Sequence, residues 1–252
     1  MKALILAAGY GTRLYPLTKN TAKPLLTFNG KTMLNWLLEK IQDFQELNEV
    51  LVVSNDKFYQ DFQAWARENK QFPVPISVVN DGTKSNEDRL GSIGDIKFVL
   101  KKNKISEDLL VLGGDNLFDY ALTDYIAFAR KKSPKVSIGL YDIRDINEAK
   151  IFGVVQTDQD KKIISFEEKP AQPKSSLIAM CLYYFPKESL VLIDEYIRQS
   201  QKADAAGGYI GWLSQRETVF GYDFQGKWYD IGSLEAYYSA QKDFQMRPQL
   251  SE

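Results

Sequence analysis

The chain has 252 residues, 44% hydrophobic and 26% charged, enough to bury a sizeable core without staples and ordinary for a soluble globular domain. Its 32 basic and 33 acidic side chains nearly cancel, so no whole-protein field draws it to nucleic acid or to an anionic membrane, and any bound anion must be held locally. It has no histidine and one cysteine, Cys181, which excludes imidazole chemistry and any intramolecular disulfide.

From the amino end, residues 2–7 read as a buried strand. The apolar run stops after about six residues, too few for a signal peptide or a membrane span, and the expected compartment is the cytoplasm. A glycine-bearing loop follows over about 8–20. Residues 31–47 carry Met33, Leu34, Leu37, Leu38, Ile41 and Phe44 at helical spacing. The run 50–54 is a second strand, 57–70 an amphipathic helix with Phe58, Phe62 and Trp65, 76–79 a third strand and 89–102 a third helix. A fourth strand at 108–112 runs into Gly113-Gly114-Asp115, before a helix at 123–131 and a strand at 135–141. This alternation predicts an α/β fold: a Rossmann-like, mostly parallel but mixed sheet with helices on both faces. Right-handed crossovers bring the loops after the first, third and fourth strands to one edge, the ligand edge of such sheets.

Beyond about residue 142 the pattern changes. Segments 153–156 and 162–166 flank the polar stretch TDQDK and predict an inserted antiparallel hairpin. A long strand is expected at 177–185, helices at 187–199 and around 209–215, strands about a turn at 218–223 and 226–229, and a closing helix at 233–244. No linker, repeat or low-complexity tract interrupts the chain, so one domain over 1–252 is expected.

Four stretches carry chemistry. LAAGYGTRLYPLTKNTAKPLL, residues 6–26, leaves a strand with Gly9 and Gly11, whose backbone N–H groups can turn toward phosphate. Thr12 adds a hydroxyl and Arg13 a planar fork for phosphate oxygens, while Lys23 lies between Pro16 and Pro24, where regular helix cannot run. The spacing fits neither the dinucleotide fingerprint nor the Walker pattern. LLVLGGDNLF puts Asp115 just past a buried strand, as a ligand-edge carboxylate or as a helix cap. GKWYDIGSLEAY sets Asp230 between aromatics and a glycine, with Ser233 ready to cap the last helix. FEEKP contains Glu168 and Lys169, which on composition alone is a solvated charge cluster.

Together these stretches resemble, in order and over about residues 2–244, the sugar-1-phosphate nucleotidyltransferases, the family of glucose-1-phosphate thymidylyltransferase and UTP–glucose-1-phosphate uridylyltransferase. The usual opening is GGxGTRLxPLTxxxPKPLL; here Ala8 replaces a glycine and Ala22 precedes Lys23. The resemblance implies that residues 1–142 bind the nucleotide, through Leu6, Ala8, Gly9, Gly11, Thr12, Arg13 and Asn80. It implies that residues 143–252 bind the sugar phosphate, through Gly153 of the Phe152-Gly153 step, Glu168 and Lys169. Arg13, Lys23 and Lys169 would act on the reacting phosphates, and Asp115 and Asp230 would hold Mg2+, which prefers oxygen ligands. Partners would be a nucleoside triphosphate and a sugar 1-phosphate, glucose 1-phosphate with dTTP or UTP by analogy, with homo-oligomer formation left open. The segment VVNDGTKSNEDRLGSIGD departs from the family's base pocket: Asn80 stands in for its glutamine, and Arg89 where a glycine is usual. Two alternatives stand beside this expectation, a nucleotidyltransferase for a phosphocholine-type acceptor and a non-catalytic sugar-nucleotide sensor. A glycosyltransferase would show a DxD motif, which GGDN does not supply.

Overall fold

The computed structural model describes residues 1–200 and 205–245; the rest of the expected second half, 201–204 and 246–252, lies outside the described residues. In β1 (Lys2–Leu6) Ala3 and Ile5 enter one buried layer and Leu4 the other, the pattern of a central strand covered on both faces. A short antiparallel pair, β2 (Thr27–Phe28) and β3 (Lys31–Thr32), then leads into α1 (Met33–Ile41). Thr32 caps this helix at the first residue of its apolar pattern, accepting from Asn35 N at 3.1 Å, and the helix stops at Ile41, short of the expected residue 47. The expected alternation follows in β4 (Glu49–Ser54), α2 (Tyr59–Glu68), β5 (Ile76–Asn80), α3 (Gly91–Lys102) and β6 (Leu109–Gly113). A short strand absent from the sequence expectation, β7 (Asn116–Phe118), comes next, and then α4 (Thr123–Lys132) and β8 (Val136–Asp142).

In the second half the hairpin forms as β9 (Gly153–Thr157) and β10 (Ile163–Glu168), and the long strand as β11 (Leu177–Phe185). The helix expected over 187–199 splits into a 3-10 turn, Lys187–Ser189, and α5 (Val191–Gln199). α6 (Ala206–Ser214) comes next. The two strands expected about a turn do form, as β12 (Val219–Phe224) and β13 (Trp228–Asp230), but they do not pair with each other. β12 runs parallel to β8 in the main sheet, whereas β13 pairs antiparallel with β7. Ser233 caps the closing helix α7 (Leu234–Gln245), its hydroxyl accepting from Ala236 N at 3.2 Å.

The main sheet runs β10-β9-β11-β6-β1-β4-β5, with β8 and then β12 attached to the other side of β11. Strands β6, β1, β4 and β5 are parallel, and β11 joins β6 antiparallel. One face is packed by α1, α2 and α4, with Leu37, Phe62, Trp65 and Tyr125 in the layer. The other is packed by α3, α5 and α6, with Ile96, Val99, Ile193 and Ile210. A third, smaller cluster seats α7 against β2 and β7 through Phe28, Leu117, Ile231 and Ala240. Among the described residues no helix is long and apolar enough to cross a membrane.

The parting of two strands makes the site. β11 pairs with β6 over Leu182–Phe185 but meets β9 at Ile178, and its register shifts between Ala179 and Tyr183. Where β6 has ended and β9 has begun, the sheet opens into a cleft floored by Ala179 and Cys181.

Candidate active site

The cleft has a volume of about 500 Å3 and lies at the carboxyl ends of β1 and β6. One wall is the loop after β1. Gly11, at φ 63°, starts a 3-10 turn over Thr12–Leu14, and its carbonyl accepts from Thr18 Oγ1 at 2.7 Å. Leu6, Gly9, Gly11, Thr12 and Arg13 all line the cleft. Gly114 brings the next loop beside this one. Its N–H donates to Leu6 O at 2.9 Å, and a Cβ there would lie 2.8 Å from that oxygen, so only glycine allows the approach.

That approach delivers Asp115. Its Oδ2 accepts from Lys23 Nζ at 2.7 Å, and Lys23 is itself buried, held in a 3-10 turn, Lys23–Leu25, with Pro24 at its start. No helix follows Asp115, so the capping role is ruled out; the chain turns directly into β7. The β7–β13 ribbon places Asp230 opposite Asn116, and Ile231 N donates to Asp115 O at 3.3 Å. Asn116 knits the corner: its Oδ1 accepts from Trp228 Nε1 at 2.7 Å and its Nδ2 donates to Asp115 Oδ1 at 3.3 Å. Asp115 and Asp230, distant in sequence, therefore share one corner, and Asp230 senses the charge of Asp115.

The electrostatics follow from that adjacency. Burial opposes ionisation of Asp115, but the Lys23 ammonium, by charge and hydrogen bond, and the more distant Arg13 hold the carboxyl below the usual range. Burial and the charge on Asp115 push Asp230 up to about 6, against the pull of Lys23, Arg13 and Lys169. A divalent cation would relieve this like-charge pair, and the all-oxygen donor set suits magnesium. Among the described residues no cluster of three or more histidine, cysteine, aspartate or glutamate side chains could hold a metal by itself.

The opposite wall comes from the second half. Phe152, Gly153, Phe166 and Glu168 line it, with Ala206 and Gly207 from the start of α6. A Cβ on Gly207 would overlap Glu168 Oε2, so the carboxylate lies against bare backbone. Burial raises the Glu168 carboxyl above its ordinary value, offset in part by Lys169, whose Nζ is 3.9 Å away.

Three residues expected at the site do not line the cleft. Ala8 is buried behind the loop, its carbonyl accepting from Asn55 Nδ2 at 2.9 Å. Asn80, given the base-reading role by resemblance, is tied up outside the cleft: Nδ2 donates to Asp56 Oδ1 at 2.7 Å and Oδ1 accepts from Gly82 N at 2.8 Å. Lys169 keeps 63% of its side chain exposed, its backbone fixed by a 2.9 Å bond from its N–H to Phe152 O. Tyr10, Asn86, Arg89 and Ser92 also line the cleft. The sequence expectation missed Tyr10, Ser92, Asn116 and Trp228. Each lies within a stretch that the sequence marks: Tyr10 in the opening loop, Ser92 in VVNDGTKSNEDRLGSIGD, and Asn116 and Trp228 in the stretches around the two aspartates.

The sequence model of the nucleotidyl transferase family matches residues 2–247. A glucose-1-phosphate adenylyltransferase of Clostridium novyi (strain NT) is 31% identical over 256 positions, covering 96% of this chain. The chain spans 66% of that relative's length. Two solved structures share the fold. One, from Bacillus anthracis, is assigned as a glucose-1-phosphate thymidylyltransferase in complex with a sucrose; it superposes with a TM-score of 0.82 at 22% identity, over 100% of this chain and 98% of that one. The other, a UDP-glucose pyrophosphorylase complexed with UDP-glucose, gives 0.81 at 20% identity over 97% and 98%.

Proposed function

The chain belongs to the nucleotidyl transferase family, and from that membership we propose that it joins a nucleoside triphosphate to a sugar 1-phosphate, releasing pyrophosphate and an NDP-sugar. The meeting of Asp115 and Asp230 beside the glycine loop, with Glu168 across one cleft, carries this reading. A phosphate monoester has a second pKa near 6, so the sugar phosphate is already mostly dianionic at neutral pH. Its oxygen attacks the α-phosphorus in line; the new O–P bond forms as the bond to the β-phosphate oxygen breaks. No general base is needed, which suits a chain without histidine.

The barrier is the approach of two polyanions. Each pair of like unit charges at 4 Å repels by about 4 kcal/mol at an effective dielectric of 20. Arg13 and the loop N–H groups face the triphosphate, and Lys23, anchored on Asp115, presents a second cation at the same corner. Magnesium, held by Asp115 and Asp230, would neutralise phosphate charge there. Glu168 and the Gly153 backbone offer acceptors to sugar hydroxyls, and the exposed Lys169 adds positive potential at the mouth. Such highly charged substrates do not cross membranes, consistent with work in the cytoplasm.

Pyrophosphate release tests this directly, over a grid of ATP, UTP, dTTP, CTP and GTP against several sugar 1-phosphates and phosphocholine, with magnesium and with chelator. Release is expected with a sugar 1-phosphate, lost on chelation; uracil or thymine is our first choice of base, with adenine the competitor raised by the Clostridium relative. Release with phosphocholine alone, or with no acceptor, overturns the proposal.

A further inference from the structure

Next to the segment that carries Asn86, Arg89 and Ser92, two buried carboxylate oxygens meet no hydrogen-bond donor: Asp81 Oδ2 and Asp95 Oδ1. Asp81 and Asp95 are 8% and 6% exposed, and Tyr10, 6% exposed, senses the charge of Asp81, with its hydroxyl in hydrogen-bonding contact with Thr83. Asp81 lies where the chain leaves β5, its N–H donating to Ser54 O at 2.9 Å. Its Oδ1 is used locally, accepting from Thr83 N at 2.7 Å and Thr83 Oγ1 at 2.8 Å. Asp95 projects from the start of α3 into hydrogen-bonding contact with Asp81. Two ionised carboxylates are both acceptors, so the contact lacks a donor unless one of them carries a proton.

The surroundings favour that proton. Burial, and then the charge of Asp81, push the Asp95 carboxyl up to about 8. The other charges acting around Tyr10 are Asp56, in the turn after β4, and Asp88, in the turn before α3, both acidic. Two of the three lysines of α3 are engaged elsewhere, Lys97 with Asp194 of α5 at 2.9 Å and Lys102 with the carbonyl of Asn80 at 3.2 Å; the third, Lys101, is exposed near the carboxyl end of the helix.

We propose that Asp95 is a positioning residue: a neutral carboxylic acid whose proton bridges to Asp81, tying together the two ends of segment 81–95 and fixing the wall that receives the nucleotide. The proposal rests on the nucleotide reading of this cleft. Between the tied ends, Asp88 accepts from Lys84 N at 3.0 Å and Ser85 N at 2.8 Å, and Arg89 Nη1 donates to Asn86 Oδ1 at 3.1 Å. Ser92 Oγ then accepts from Ala206 N at 2.7 Å, linking the segment to the start of α6, where Gly207 abuts Glu168. Loss of the proton leaves two buried like charges facing each other and forces the segment apart. The sign is fixed: the folded-state value lies above the ordinary carboxylate value, so Asp95 favours the fold at low pH. That contribution declines as pH rises from the ordinary carboxylate range to about 8.

Asp95→Asn tests this, because the amide keeps the shape and supplies a permanent neutral donor. Nucleotide binding by calorimetry should be within about twofold of the parent near pH 7. Near pH 9 the parent should lose affinity at least about tenfold while the variant stays flat. Infrared difference spectra of the parent should show a protonated-carboxyl stretch near pH 7 that is absent from the variant. Parallel loss of nucleotide affinity above pH 8 in both proteins overturns the proposal. So does a parent spectrum without that stretch, an arm that stands even if the variant fails to fold. Binding and a bond vibration are read rather than turnover, so inactivity toward every sugar 1-phosphate would count against the proposed reaction and leave this inference to its own result.

Discussion

The two walls of the cleft differ in how far their charges are already answered. At the phosphate corner, Lys23 sits 2.7 Å from Asp115, Asn116 ties Asp115 to Trp228, and the β7–β13 ribbon sets Asp230 beside them. Across the cleft, Glu168 lies against the bare backbone of Gly207, with Lys169 at 3.9 Å and largely in solvent. The first wall is organised before any substrate arrives, as electrostatic catalysis of polyanion transfer requires. The second keeps a carboxylate whose burial makes it a stronger acceptor, which suits the hydroxyl donors of the proposed sugar. Rigidity is concentrated where charge must be stabilised, and capacity is left open where shape must be read.

The largest effect should come from breaking the organised wall. Asp115→Asn should lower kcat by about 10²–10³-fold, the scale of losing one element of a preorganised electrostatic site. It should also lower stability by about 1–2 kcal/mol, since the buried Lys23 loses its counter-charge while Asp115 keeps part of its surface open to the cleft. Steady-state kinetics and thermal melting measure both. Turnover close to that of the parent, in magnesium, would remove Asp115 from the metal site and with it the contrast between the walls.

A smaller and more selective effect is expected from Gly207→Ala. The new methyl would occupy the space of Glu168 Oε2, the far end of a flexible side chain, so the fold should survive and the carboxylate should swing away. KM for the sugar phosphate should rise about tenfold, matching Glu168→Ala, with nucleotide KM little changed. Because both changes remove the same acceptor, the double variant should be no worse than either single one. Additive losses would mean that Gly207 and Glu168 contribute separately.

The sheet was legible because each of its strands before residue 142, and each helix packed on it there, carries its own apolar period, which needs no knowledge of its neighbours. The β7–β13 ribbon was not. Three residues after Gly-Gly-Asp carry no period, and their partner strand lies 112 residues away at the Asn116–Trp228 contact. For the same reason the strands at 218–223 and 226–229 could be read but not their partners, β8 and β7. Motifs marked the phosphate loop and both aspartates by position, yet position does not give direction: Asn80 occupies the expected end of β5, but Asp56 and Gly82 capture its amide. Asp95 left a trace that went unused. It stands four residues before Val99 and beside Ile96, on the buried stripe of α3, where an acid is out of place unless something answers it.

The smallest effect, and the sharpest test of the contrast, concerns Lys169. Resemblance gives it the sugar phosphate, whereas its side chain is 63% exposed and its fixed feature is the backbone, at φ 48° with the N–H bonded to Phe152 O. Alanine at this position must adopt the same left-handed backbone, so Lys169→Ala changes the side chain while leaving the conformational cost nearly constant. A cation so open to water is worth up to about 1 kcal/mol, which predicts a rise of no more than about fivefold in sugar-phosphate KM. Its charge does reach Asp230, so the effect should shrink further as salt screens it, and Lys169→Arg should restore the parent value. A loss as large as that of Asp115→Asn, insensitive to salt, would mean that substrate draws Lys169 inward and completes a second organised wall.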